Sequence, residues 1–166
     1  PHETAQIVAE LKSDDAADVL QDLDEDEQEE VLKHVSPEDR AELRGILRYP
    51  EESAGGIMQT ELVRVQADGT VKQARDVIRR TRDEVGELHE VFVVDDAGRL
   101  KGWVKERALI LAEDSTPIEA ITIPVPVKVP VLMDQEEIAN LVRDYDVSSV
   151  PVVDDQDHLL GRILVD

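Results

Sequence analysis

An internal repeat, 59 positions apart, constrains the fold of this chain more than any other feature. Residues 91–104 read VFVVDDAGRLKGWV, and residues 150–163 read VPVVDDQDHLLGRI. Seven of the fourteen aligned positions are identical without a gap. A duplicated unit sets the architecture, because each copy is one supersecondary element that must be built again. The repeat therefore predicts a small α/β module built twice, which is more typical of a binding module than of an enzyme.

The second part of the chain, from about residue 59, has the pattern strand, helix, strand, strand, helix, twice. Leu62–Val65 alternates apolar and polar residues, as a half-buried strand does. A helix is predicted to open at Thr70, and an Asp-rich turn joins the predicted strands Val91–Val94 and Leu100–Val104. The second copy starts with a predicted strand over Val125–Val129 and stops before its closing helix. We therefore expect the natural sequence to continue.

The first 50 residues predict three short helices in series, with sequence elements that recur every 12 residues. Ser13 is the predicted N-cap of one helix, and Ser36 followed by Pro37 is a typical helix start. Tyr49-Pro50 ends the helical part, since a residue before proline is disfavoured in a helix. Helices this short are unstable alone, so they must stack into a small superhelix.

The chain is strongly acidic, with 39 Asp and Glu against 18 Lys and Arg and a formal net charge of −21. Such a field repels nucleic acid and anionic lipid. Aromatic residues make up 2% of the chain, which also argues against base stacking. We therefore expect no nucleic-acid partner. The acidity alone fits a solvated surface, a salt-loving host or divalent-cation binding.

The repeat carries a family resemblance. The pattern at 150–163, with the helix before it, resembles the CBS domain, and two copies resemble a CBS pair (Bateman module). The first copy departs from this pattern, with Phe92 where proline is usual and an insertion at 82–89. The segment YPEESAGGIM at 49–58 lies between the acidic helices and the repeat. This order of parts is similar to the cytosolic region of the MgtE family of magnesium transporters, over nearly the whole chain.

The resemblance implies an α+β fold, with a short-helix superhelical N-terminal domain followed by a tandem CBS pair. We expect residues 1–58 to form the acidic helical domain with its junction, truncated at its start. Residues 59–123 would then form the first CBS domain. The second CBS domain would occupy residues 124–166 and be truncated at its end.

The function implied by the resemblance is that of a cytosolic Mg²⁺-sensing region, which gates a magnesium channel or transporter by Mg²⁺-dependent compaction. The implied partners are a second copy, bound through the CBS domains, and the transmembrane pore domain of the same full-length chain. The implied location is the cytoplasmic face of the inner membrane, with this piece itself soluble. We expect no enzyme, since no nucleophile–base pair, P-loop or paired-carboxylate motif stands out.

Candidate Mg²⁺ ligands follow from helix spacing together with the resemblance. Asp14 and Asp18 are four residues apart and share one helix face. Gly55 could lend a backbone carbonyl, although a turn role fits it equally well. Acidic residues after the second CBS helix face the helical domain in the family. The candidate ligands are Asp14, Asp18, Asp15, Gly55, Asp146 and Asp166, with Glu10 and Asp22 as lesser candidates.

The alternative function is an adenine-nucleotide sensor that regulates an attached protein, because CBS pairs often hold ATP or AMP. The usual phosphate-binding stretch is glycine, two apolar residues, Ser or Thr, and then Asp three residues on. Residues 102–105 and 161–164 both lack the hydroxyl. Regulatory Mg²⁺ is therefore the predicted ligand, and ATP has weaker support.

Overall fold

The sequence repeat is built as two three-stranded sheets of identical connectivity. The computed structural model describes residues 2–86 and 90–165. In each sheet the first strand pairs in parallel with the second, and the second pairs antiparallel with the third. The strands are β1 (Arg64–Gln66), β2 (Val91–Val94) and β3 (Leu100–Val104), then β4 (Val129–Pro130), β5 (Ser149–Val153) and β6 (Leu159–Leu164). Both antiparallel pairs shift register at equivalent valines, between Val93 and Val94 and between Val152 and Val153.

Helices surround these sheets and precede them. The helices are α1 (His2–Glu10), α2 (Ser13–Gln21), α3 (Glu25–Leu32), α4 (Pro37–Leu47), α5 (Ala54–Ile57), α6 (Val71–Val85), α7 (Glu106–Leu111), α8 (Ile118–Ile121) and α9 (Gln135–Val142). The crossovers α6 and α9 join the parallel strand pairs, which a tight hairpin cannot do. None of the helices in 2–86 and 90–165 combines the length and the apolar character that a membrane crossing needs.

The predicted α+β fold class is confirmed, with one more N-terminal helix than predicted. Four described helices, α1 to α4, stack before the junction, whereas the sequence predicted three. Ala5 and Val8 of the additional helix α1 are buried in one cluster with Leu20 and Leu43. The helices therefore share one apolar core, as their marginal individual stability requires.

Three local predictions were wrong. The N-cap of α2 is Lys12, and Ser13 is already helical. The first strand lies two residues later than predicted, at Arg64–Gln66. The predicted strand Val125–Val129 is reduced to Val129–Pro130, because prolines at positions 124 and 126 cannot donate to a strand ladder.

Other local predictions are confirmed. Ser36 caps α4 by accepting a hydrogen bond from the backbone N–H of Asp39 at 3.3 Å, with proline at the first helical position. Asp95 stabilises the turn of the first hairpin by accepting from the backbone N–H groups of Ala97 and Arg99, both at 2.9 Å. Asp154 does the same in the second hairpin. Aspartate favours such turns because its carboxylate bonds nearby backbone.

The two repeats share an apolar cluster. Its members are Leu62, Phe92, Val94, Leu100 and Trp103 of the first repeat, and Val153 and Leu159 of the second. Trp103 is 1% exposed. Phe92, which replaces the usual proline, is fully buried with its ring centroid 6.2 Å from that of Trp103. The departure from the family pattern therefore fills the boundary between the repeats.

The junction between the helical part and the first repeat is attached to the second repeat. The backbone N–H groups of Ala54 and Gly55 donate to the carbonyls of Met133 and Val131, both at 2.8 Å. Gln59 and Arg162 exchange two backbone hydrogen bonds, also at 2.8 Å. The junction thus extends the edge of the second sheet at β6.

We predict that Gly56→Ala destabilises the chain, since a Cβ there would lie 2.2 Å from the carbonyl oxygen of Pro50. Backbone cannot move aside as a flexible side chain can, and overpacking of this kind costs about 1–3 kcal/mol. Urea unfolding measures the effect. Gly45→Ala on α4 is the matched control, because its Cβ would meet nothing closer than 3.9 Å. That control should be stabilised by roughly 0.5–1 kcal/mol, and an unchanged Gly56→Ala midpoint would contradict the packing described.

Candidate functional site

Helix α2 presents its acidic residues beside the junction because its apolar residues fix its orientation. Ala17 is fully buried in one cluster with Ala54 and Met58 of the junction and Val129 of β4. Ala16 and Leu20 face the core of the helical domain instead. Apart from Ser13, which is also buried, the remaining positions of α2, which include Asp14, Asp15 and Asp18, are half-buried or exposed.

Asp14 is the member of this set that contacts the junction directly. Its Oδ2 accepts a hydrogen bond from Nε2 of Gln59 at 3.2 Å. Its Oδ1 accepts from the backbone N–H of Asp15 at 2.9 Å. Asp14 is half-buried, so water reaches its carboxylate only in part.

The carboxylates around α2 repel one another. The pKa of Asp15 is raised above its ordinary value, first by the negative charge of Asp14 and then by partial burial and Glu61. The pKa of Asp18 is also raised, first by partial burial and then by Asp14, Asp15, Glu51 and Asp22. Solvent screens the effect because both side chains are exposed. The raised pKa values of both aspartates nevertheless indicate a surface on which negative charge is not fully compensated.

Gly55 and the second-side candidates lie on other elements. Gly55 is buried in α5, where a Cβ would lie 2.5 Å from the ring of Tyr49, so only glycine fits. Asp146 is exposed in the loop between α9 and β5. Asp166 falls outside the described residues. Of the lesser candidates, Glu10 ends α1 and Asp22 directly follows α2.

The structure brings together Asp14, Asp15 and Asp18 but gathers no preformed cage around them. Across residues 2–86 and 90–165, no three His, Cys, Asp or Glu side chains converge as a metal site. Mg²⁺ keeps several waters and takes only one or two carboxylates from a protein. The candidate ligand set therefore remains a prediction. It is suited to an ion that keeps most of its water ligands rather than one coordinated entirely by protein groups.

Sequence analysis missed Glu51 and Glu61 as charges that face α2. Both act on the aspartates of α2 from beyond the helical repeat. Glu51 belongs to the junction whose sequence was singled out, so its place there was a usable signal. Nothing in the sequence connected Glu61 to a helix 48 residues earlier.

A separate cleft of about 590 Å³ opens on the first repeat. Its charged lining consists of Asp68, Asp95, Asp96, Lys101 and Glu119. Four carboxylates and one ammonium make this cleft unfavourable for a polyphosphate. The stretches 102–105 and 161–164, which lack the usual hydroxyl, lie within or directly after strands β3 and β6, and Trp103 and Arg162 within them are buried.

Family models match along nearly the whole chain. Residues 1–52 match the MgtE intracellular N domain. Residues 54–115 and 118–166 each match the CBS domain. The chain belongs to the MgtE family. The predicted resemblance is thereby confirmed, including the duplicated CBS module that the sequence repeat indicated.

Known MgtE relatives match both in sequence and in structure. The magnesium transporter MgtE of Thermus thermophilus is 37% identical over 156 residues, 92% of this chain and 35% of that protein. A crystal structure of the soluble part of a magnesium transporter superposes with a TM-score of 0.91 at 39% identity, covering 98% of this chain and 63% of that one. The cytosolic domain of the Mg²⁺ channel MgtE in complex with ATP gives the same TM-score at 37% identity, covering 98% of this chain and 67% of that one. This chain spans about a third of the length of the Thermus transporter.

We predict that Asp18→Asn stabilises the chain at neutral pH without divalent ions, because it removes a carboxylate whose pKa is raised by burial and by like charges. A raised pKa means that the folded state is destabilised by ionisation. The advantage of the variant should shrink as pH falls through the raised pKa, and it should vanish below the ordinary aspartate value. Urea unfolding in EDTA from neutral to acidic pH measures this difference.

Asp155→Asn, in an exposed turn, is the matched control for loss of one charge. It should show no comparable pH-dependent gain. If both variants shifted equally at every pH, the repulsion around Asp18 would be contradicted.

Proposed function

We propose that this chain is the Mg²⁺-sensing regulatory region of a magnesium transporter, and that it switches by docking its helical domain against the CBS pair. The observation that carries the proposal is the cluster of mutually repelling aspartates on α2, held beside a junction that is bonded to the second repeat. Membership of the MgtE family supports it.

The docked arrangement balances two opposing terms. Apolar packing of Ala17 and Ile46 against Ala54 and Met58 favours docking. Repulsion between carboxylates opposes it, and a pair 4 Å apart repels by about 1–4 kcal/mol at surface-like dielectric. Terms of this size are comparable, so bound cations can decide the balance. When Mg²⁺ is scarce, the repulsion is uncompensated and the domains separate.

Asp14 and Asp18 are the proposed principal ligands, because they lie one turn apart on the same helix. We propose that further ligands complete the Mg²⁺ sites as the domains close. These ligands are Asp15, the carbonyl of Gly55, Asp146 and Asp166. A hydrated Mg²⁺ bridging such groups binds weakly. Weak binding suits a sensor that must release its ion when the cellular level falls.

The remaining parts of the switch lie outside this chain. The transporter relative extends well beyond the matched third of its length, and we propose that a pore domain there responds to compaction. We also propose that two copies associate through their CBS domains, using exposed apolar residues such as Ile110 and Leu111 of α7. The assembly would lie at the cytoplasmic face of the membrane.

Asp14→Ala combined with Asp18→Ala should weaken Mg²⁺-induced compaction while the fold remains intact. We expect the Mg²⁺ midpoint for protease protection of residues 49–58 to rise about tenfold, the equivalent of about 1.4 kcal/mol. In EDTA the same variant should be more protected than the wild type, because repulsion has been removed. Limited proteolysis and calorimetry across a Mg²⁺ titration measure both effects.

Asp26→Ala with Glu30→Ala is the matched control, with the same spacing and charge change on α3. It loses the exposed ion pair between Glu30 and Lys33, which contributes little. Its Mg²⁺ midpoint should equal that of the wild type. If millimolar Mg²⁺ neither protected the wild-type junction nor released or absorbed heat, the sensor function would be wrong.

Adenine-nucleotide sensing is the second candidate function, because the cytosolic domain of an MgtE channel has been crystallised with ATP. The acidic lining of the cleft in the first repeat argues against free ATP there. We therefore expect no saturating heat from ATP in EDTA. Saturable binding of ATP without Mg²⁺, or junction protection by ATP alone, would favour the nucleotide function instead.

A further inference from the structure

Helix α2 has no cap of its own at its first turn. The side chain of its N-cap residue, Lys12, makes no capping hydrogen bond. The first helical N–H, that of Ser13, donates instead to Oε1 of Glu61 at 2.7 Å. The Ser13 hydroxyl donates to Oε2 of the same carboxylate at 2.8 Å. A negative charge at a helix N-terminus is stabilising, and here it comes from a residue 48 positions away.

A third hydrogen bond completes the contact, and its Ser13 side is buried. The Ser13 hydroxyl also accepts a hydrogen bond from the backbone N–H of Thr60 at 2.8 Å. Ser13 is 4% exposed, so solvent cannot replace these bonds without opening the interface. Both oxygens of Glu61 are therefore occupied by one residue of α2.

The CBS side of this contact is anchored in the second sheet. Thr60 and Glu61 directly follow Gln59, whose backbone pairs in both directions with Arg162 of β6. Arg162 is 1% exposed. Burial lowers the pKa of its guanidinium, and the negative charges of Glu61, Glu90 and Asp14 act against that lowering. A buried cation thus lies within reach of the charge of Glu61.

Lys12 adds a second contact, to the first repeat. Its ammonium donates to the backbone carbonyl of Glu84 in the last turn of α6. A cation is favourable at a helix C-terminus, as an anion is at an N-terminus. Lys12 is therefore complementary in charge to the end of α6, as Glu61 is to the start of α2.

We propose that Glu61, with Ser13, is a metal-independent latch between the helical domain and the CBS pair. It holds the start of α2 in place and so sets the Mg²⁺ concentration at which the acidic face closes. The effect of the latch on the Mg²⁺ concentration rests on the proposed sensing function, whereas the latch itself needs no ion. When Mg²⁺ is low, the domains then hinge apart about this contact rather than separating freely.

Glu61 also has an opposing effect, because its charge contributes to the raised pKa of Asp15. Removing the carboxylate therefore removes some repulsion together with the latch. Asp15 is exposed, so solvent screens that repulsion. The bonds to Ser13 are charge-assisted and part-buried, and charge-assisted bonds are roughly twice as strong as neutral ones. Loss of the bonds outweighs the relief.

The test is amide hydrogen exchange of the chain in EDTA and across a Mg²⁺ titration, for Glu61→Gln, Ser13→Ala and the double variant. In EDTA, each single variant should increase exchange over residues 11–16 and 59–62 by roughly five- to thirtyfold. The increase in exchange for the double variant should be only slightly larger than for either single variant, because both substitutions disrupt the same contact. The Mg²⁺ midpoint should rise severalfold, with wild-type protection regained at saturation.

Glu113→Gln, an exposed residue after α7, is the charge-matched control and should behave as the wild type. Wild-type exchange in EDTA for both latch variants would overturn the latch, even where Mg²⁺ still compacts the chain. An equal increase across the β5 amides would mean general destabilisation and would overturn it as well. A third outcome would separate the two proposals. If the latch variants exchanged faster than the wild type, and Mg²⁺ did not change the exchange of the wild type, the latch would be supported and the sensor function rejected.

Discussion

The attachment of the junction to the second CBS domain is the constraint on which the rest of the structure depends. Backbone hydrogen bonds from Ala54, Gly55 and Gln59 bind the segment that directly follows the helical domain to the far repeat. Gly55 and Gly56 allow this approach because a side chain at either position would collide with its surroundings. The junction then serves as the platform against which α2 packs, and the position of α2 decides where its aspartates lie.

Two kinds of contact hold the helical domain on this platform, and they respond differently to solution conditions. The apolar contacts of Ala17 with the junction and the Ser13–Glu61 bonds join protein groups directly, and we propose that they are insensitive to divalent ions. The aspartates of α2 repel neighbouring carboxylates, and that term depends on cations and on pH. We propose that a docked state built from both kinds is stable enough to exist and weak enough to be regulated. This is the requirement for a switch whose states differ by a few kcal/mol.

Much of the fold could be predicted from the sequence, because the repeat and the helix starts are local patterns. The hairpin turns at Asp95 and Asp154 and the cap at Ser36 were predictable for that reason. The Ser13 prediction failed because its hydroxyl has a tertiary partner, and no local rule weighs a glutamate 48 residues away. The same limit applies to the site. Asp14 and Asp18 share a face by helix spacing, whereas the charges of Glu51 and Glu61 reach Asp18 and Asp15 only through the fold.

The pairing of Gln59 with Arg162 also bears on how the chain folds as it is synthesised. The junction leaves the ribosome long before β6, so its partner strand does not exist while the first CBS domain is being made. Contacts between residues so distant in sequence form late and slow folding. The helical domain must therefore wait, folded on its own core, until the second sheet is complete. We expect a nascent or prematurely terminated chain that lacks β6 to dock its acidic helices less firmly, because the Arg162 partner of Gln59 is missing.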